Sequence, residues 1–127
     1  MAIRTELSLR LPNSPGALAT VCRVLADERV RITAMSLDGT GLLRLLLDNH
    51  VRGAGVLRDR RHTIAEREVI AVQVSSGPGS LATVVALLAS AGVNVDYAYM
   101  STPEAGPMSV AVIGVDDPMR AATVAGL

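Results

Sequence analysis

The sequence has no lysine, tryptophan or phenylalanine, one cysteine and two tyrosines in 127 residues. Each scarcity removes a class of protein. A lone Cys22 allows neither an internal disulfide nor a Cys-X-X-Cys metal or redox site, and its place on an apolar helical stripe marks it as a small buried side chain. His50 and His62 fall on different elements with no cysteine near them, so no metal site is expected. No phosphate loop of the G-X-X-X-X-G-K type and no nucleophile-base pair is present, so neither catalysis nor a cofactor is expected. Asp116 and Asp117 stand together, but side by side before Pro118 they fit a helix cap better than a catalytic pair. No apolar run approaches the roughly 20 residues of a membrane span. The opening "MAIRTELSLR" lacks a basic segment followed by an apolar stretch, which leads to the expectation of a soluble, cytoplasmic chain without a membrane partner.

Positive charge is balanced but unevenly spread. Twelve arginines face twelve acids, with ten arginines and six acids in residues 1–63 and two and six in residues 64–127. The halves therefore sit near +4 and −4. A general nucleic-acid binder carries excess basic charge, and this chain has none to offer. Arg52, Arg58, Arg60 and Arg61 read as a solvated helix face. Opposite signs favour association of the halves, or of two copies, although each exposed pair contributes little.

What the chain does have is a repeat. A shift of 63 positions lays "LPNSPGALATVCRVLADERVRI" on "VSSGPGSLATVVALLASAGVNV", and nine of the positions from Pro15 to Ile32 are identical. Before each Pro-Gly the apolar residues alternate, as Leu7, Leu9 and Leu11 and then Ile70, Val72 and Val74, which marks strands with one buried face. After it the spacing changes to three and four. Leu18, Val21, Cys22 and Leu25 form one helical stripe, and Leu81, Val84, Val85 and Leu88 its copy. The second helix also carries Ala82, Ala86, Leu87 and Ala89 outside that stripe, so it should be covered on more than one side.

Strands are expected next at 30–37 and 93–100, then at 42–48 and 108–115 after the turns "DGTG" and "STPEAGP". A second helix follows each. "VRGAGVLRDRR" has two glycines that each weaken a helix by about 1 kcal/mol relative to alanine. "DDPMRAATVA" starts well, with Asp117 as N-cap. A final strand at 62–66 completes the first repeat, and the second has no room for its counterpart. The order is β-α-β-β-α-β followed by β-α-β-β-α, two ferredoxin-like repeats at residues 1–66 and 67–127 of α+β class, with antiparallel sheets and helices on one face. Units of about 60 residues bury only roughly 60% of their unfolded surface, so the two should lean on each other. The missing edge strand leaves backbone groups for a partner chain to cover.

The two quoted stretches resemble the strand, Pro-Gly turn, helix and second strand of ACT domains, small regulatory modules that commonly bind amino acids. The resemblance covers the whole chain as a tandem pair. It implies a non-catalytic regulatory or sensor protein with a free amino acid held between modules, by the turn of one and the second-strand start of the other. The turn residues are then Asn13, Ser14, Pro15, Gly16, Ala17 and Leu18, with Asn94 and Val95 opposite. A weaker pseudosymmetric site would use Ser76, Gly77, Pro78, Gly79, Ser80 and Leu81 with Arg31 and Ile32. The same residues would meet across a dimer interface if modules pair between chains.

The residues themselves support binding at the first turn. A glycine at a helix N-terminus lets a carboxylate approach the backbone N–H groups, and Asn13 offers both a donor and an acceptor. A plain turn and cap explain any single Pro-Gly equally well. The alternative function is a ligand-free oligomerisation or protein-interaction module. A homodimer is expected from the apolar second helix, the missing strand and the charge gradient, and any regulated enzyme or transporter must be a separate polypeptide. Tyr97 and Tyr99 share a strand face, but bases stack on sheet aromatics only with basic surroundings, so no nucleic-acid partner is expected.

Overall fold

The computed structural model describes residues 2–75, 77–101 and 108–127. They form β1 (Ala2–Arg10), α1 (Ala17–Asp27), β2 (Ile32–Leu37), β3 (Leu42–Leu47), α2 (His50–Asp59), β4 (Ala65–Ser75), α3 (Ser80–Ser90), β5 (Tyr97–Ser101), β6 (Met108–Gly114) and α4 (Pro118–Ala125). This is the expected α+β arrangement. The chain divides into two compact units, a first of Thr5–Arg67 and a second of Met1–Arg4 with Glu68–Leu127.

In the first unit β3 lies between β1 and β2, antiparallel to both. Register sets Leu7 opposite Leu45 and Leu9 opposite Leu43. The two-residue period of a strand then turns all four leucines to one face, where they are buried. α1 covers that face with Val21, Val24 and Leu25, and α2 with Ala54 and Leu57. The helical stripe differs from expectation at one place, since Val24 is buried while Cys22 is only partly so. The glycines of α2 do not undo it. A Cβ on Gly53 would collide with the Leu47 side chain, so glycine there lets the helix approach β3. The Asn49 side chain caps the helix by accepting from Arg52 N–H at 3.0 Å.

The second unit repeats the plan with β6 between β4 and β5, again antiparallel. Ile70, Val74, Val84, Leu88, Ile113 and Ala122 fill its core. Val85, expected on the inner stripe, is 42% exposed, because Val84 and Leu88, with the partly buried Leu81, form the side that packs on the core. Asp117 caps α4 as expected, accepting from Arg120 N–H at 3.1 Å, with Pro118 in the first turn.

One strand expectation needs correction. The segment 62–66 is not a separate strand from the one carrying Ile70. Residues 62–64 lie in no strand, and 65–66 belong with Ile70 to the eleven-residue β4, whose first residues 65–67 group with the first unit and the rest with the second. The second repeat ends at α4 without a closing strand of its own, as expected. Residues 2–4 of β1 group with the second unit, and Ile3 packs on its core. Each unit thus takes one strand segment from the leading end of the strand that mainly serves the other. Sequence periodicity hid this, since a strand continued through Arg4 or Arg67 keeps the same alternation on both sides.

Candidate functional site

Each turn between first strand and first helix is built around one left-handed glycine. Gly16 has φ 87° and Gly79 φ 90°, both at the N-cap and both without a side-chain cap. An L-residue resists that conformation, which accounts for glycine at both places. Thr20 and Thr83 secure the first helical turn by donating Oγ1–H to the carbonyls of Gly16 and Gly79, at 2.9 and 3.0 Å. The sequence flagged these threonines only as identities, and their spacing of four after glycine was the signal for this role. Because helix N-termini leave their first N–H groups without intrahelical acceptors, an uncapped one directs them at solvent or a ligand.

The turns differ in what their polar side chains do. Asn13 and Ser14 are exposed and their side chains make no hydrogen bond among the described residues. In the copy, Ser75 and Ser80 hydroxyls bond each other at 2.5 Å. Ser75 and Ser80 stand where Pro12 and Ala17 do, so this bond has no counterpart in the first turn, whose polar side chains are Asn13 and Ser14. A Cβ on either Gly16 or Gly79 would meet nothing within 4 Å, so both backbones are approachable.

The β2–β3 hairpin stands beside the first turn. Leu11 N–H donates to Gly41 O at 2.8 Å, and the positive φ of Gly41, 88°, permits that close approach. Arg10 Nη1 reaches Thr40 O and Oγ1 at 3.2 Å. At the hairpin tip, the Thr40 hydroxyl and then its N–H, with help from Leu42 N–H and Arg44, hold the Asp38 carboxyl below the ordinary aspartate range.

The structure gathers Asn13, Ser14, Pro15, Gly16, Ala17 and Leu18 into one turn of the first unit, where Arg31 and Ile32 also lie. Arg31 is fixed through its backbone, donating N–H to Asp48 Oδ1 at 2.9 Å while its carbonyl accepts from Asp48 N–H at 3.1 Å. Gly77, Pro78, Gly79, Ser80 and Leu81 form the turn of the second unit, which also holds Asn94 and Val95. Ser76 lies outside the described residues. Asn94 and Val95 do not begin a strand, because β5 starts only at Tyr97. They form an extended connection in which the exposed Asn94 amide donates weakly to Asp96 Oδ1 at 3.4 Å.

Tandem strand, glycine turn, helix and hairpin units of this kind define a paired regulatory-module fold. The family model described as an ACT domain pair matches residues 1–125, and the chain belongs to that family. No curated protein matches the chain. Among solved structures, protein BT0572 from Bacteroides thetaiotaomicron superposes with a TM-score of 0.85 at 25% identity, over 96% of this chain and 85% of that one. The ligand-free regulatory subunit of aspartate kinase from Thermus thermophilus gives 0.69 at 20% identity, over 98% and 89%. The corresponding subunit from Thermus flavus gives 0.66 at 17%, over 98% and 89%.

Proposed function

We propose that this ACT pair is a non-catalytic sensor that binds a free amino acid at the Asn13–Leu18 turn and acts through a separate polypeptide. The observation that carries the reading is the inequality of the turns. Gly16 supplies an approachable, uncapped helix N-terminus, and beside it Asn13 and Ser14 keep their hydrogen-bonding capacity. N–H groups at such a terminus suit a carboxylate, and the Asn13 amide oxygen suits an ammonium. By analogy with paired ACT modules, Asn94 and Val95 would complete the site from a neighbouring module. The Gly77–Leu81 turn, with Arg31 and Ile32, would be the weaker site, because Gly77 stands in place of Ser14 and the Ser80 hydroxyl is engaged with Ser75.

Binding to the native state alone raises stability by RT ln(1 + [L]/Kd), about 2.7 kcal/mol at a hundredfold excess over Kd. A thermal-shift panel of the common amino acids therefore tests the reading. One or a few should raise Tm, and Asn13→Ala should abolish the rise without lowering the ligand-free Tm. A panel without any shift would reject it. Regulation would follow only where the ligand binds two arrangements of the protein with different free energies.

A second reading, a ligand-free interaction module, draws on the two flanks of α3, where Val85 on one and Leu87 on the other are 42% and 41% exposed. Surfaces of this kind bury readily against a second copy or another protein. A homodimer in light scattering that disappears on Leu87→Glu, together with a silent ligand panel, is the outcome that would favour it. The missing-strand argument for dimerisation is weakened, since residues 2–4 group with the second unit.

A further inference from the structure

The two units share a frame at the ends of their first helices that is filled in one unit and open in the other. α1 ends at Glu28 and α3 at Ala91, the same place in the repeat. The chain leaves both helices alike. Val30 and Val93 N–H return to Leu25 and Leu88 O at 2.9 and 3.0 Å, and Arg29 and Gly92 both take left-handed φ, 58° and 72°. α2 and α4 also begin alike, with Asn49 capping Arg52 N–H and Asp117 capping Arg120 N–H. Arg52 and Arg120 therefore occupy one helical position in two copies.

In the first unit that arginine is spent. Arg52 Nη2 pairs with Glu28 Oε2 at 2.7 Å, and its Nε–H donates to Glu28 O at 3.1 Å. In the second unit Ala91 replaces the glutamate. What remains is a cleft of about 360 Å³ with Ala91, Asn94, Asp116, Asp117, Arg120 and Val124 in its lining. The Arg120 guanidinium makes no ion pair among the described residues.

We infer that this cleft binds a small zwitterion, a free amino acid or similar amino-bearing carboxylate, whose carboxylate takes against Arg120 the place that the Glu28 carboxylate takes against Arg52. A guanidinium presents paired N–H donors that match a carboxylate. Charge selects the rest of the ligand. Asp116 and Asp117 outnumber Arg120, so a bare carboxylate meets net repulsion, whereas an ammonium on the same molecule offsets it. The Asn94 amide supplies a further donor and acceptor, and Val124, 54% exposed, an apolar wall. The cleft lies near the lower end of the volumes that hold small ligands, which limits the guest to a small amino acid. Because the groups are exposed, affinity in the millimolar range is expected.

The site is built within the second unit and does not rest on the glycine-turn reading. Two-dimensional ¹H–¹⁵N NMR of the full chain, titrated with glycine, L-alanine, L-serine, acetate and ethylamine, tests it. Asn94 figures in both proposals, so the cleft is reported by the amides of Arg120, Ala121 and Val124, and the turn by those of Gly16 and Leu18; movement of one set without the other lets either proposal fail alone. The expected result is saturable movement of the cleft amides with at least one of the three amino acids, at concentrations where acetate and ethylamine produce none. Ala91→Glu, which restores the carboxylate of the first unit and fills the cleft, and Arg120→Gln should each weaken that binding about tenfold or more. Both variants should keep the wild-type spectrum elsewhere. Cleft amides unmoved by all three amino acids, or equally moved by acetate, or still moved in Ala91→Glu, would overturn the inference.

Discussion

At the scale of single residues, the two Pro-Gly turns rest on glycine for backbone rather than space. Gly16 and Gly79 have open surroundings but left-handed φ. Substitution by alanine should therefore cost about 1–2 kcal/mol each in urea denaturation, from conformational strain without any clash. The sequence announced these turns by their Pro-Gly pairs and their duplication. Which of the two keeps free polar groups was half legible: Asn13 and Ser14 stand against Ser76 and Gly77, but the mutual bond of Ser75 and Ser80 needed coordinates. Asp38 gives a pH signature. Its carboxyl is held below the ordinary value by Thr40, so its contribution to stability is present above that value and lost as pH falls through the lowered one. Asp38→Asn should lower Tm at neutral pH, and the gap from wild type should close as pH drops below about 4. A gap that persists into acid would show that the side chain acts by shape rather than charge.

At the scale of elements, α2 shows why propensity misleads. Gly53 within a helix weakens it by about 1 kcal/mol relative to alanine, so Gly53→Ala is expected to stabilise on that ground alone. Packing reverses the sign. The added Cβ would run into the Leu47 side chain, which is 1% exposed and would have to shift within the packed core, and overpacking of this kind costs about 1–3 kcal/mol. Denaturation of Gly53→Ala should therefore show net destabilisation, while Gly55→Ala, with open space around it, should be neutral or stabilising. Helix and strand identity was readable for the strongly periodic segments. The late start of β5 was not, because "GVNV" continues the apolar alternation of a strand although the first ladder residue is Tyr97. Nor was the outward turn of Val85, since a helix rich in alanine, valine and leucine on all sides does not say which stripe faces the sheet.

At the scale of the whole molecule, the leading residues of β1 contribute to the unit that the rest of the strand does not join. Ile3 packs on the core around Ile70 and Ile113, more than sixty positions away in sequence. Ile3→Ala should cost about 1–2 kcal/mol, less than a fully buried isoleucine because the side chain is only partly buried. Hydrogen exchange should place the loss of protection in β4 and β6 first; loss confined to β2 and β3 would contradict the division of the chain.

The sequence by itself determined the duplication, the element types, the Pro-Gly turns before the first helices and the membership of an ACT pair, because these depend on local periodicity and on residues close in the chain. Tertiary structure decided what depends on partners distant in the chain. It assigned residues 2–4 to the second unit, joined 65–75 into one strand and spent Arg52 on Glu28 while leaving Arg120 beside Ala91. An arginine reads the same in sequence whether or not a carboxylate awaits it, and only the fold brings the two helix ends close enough to tell.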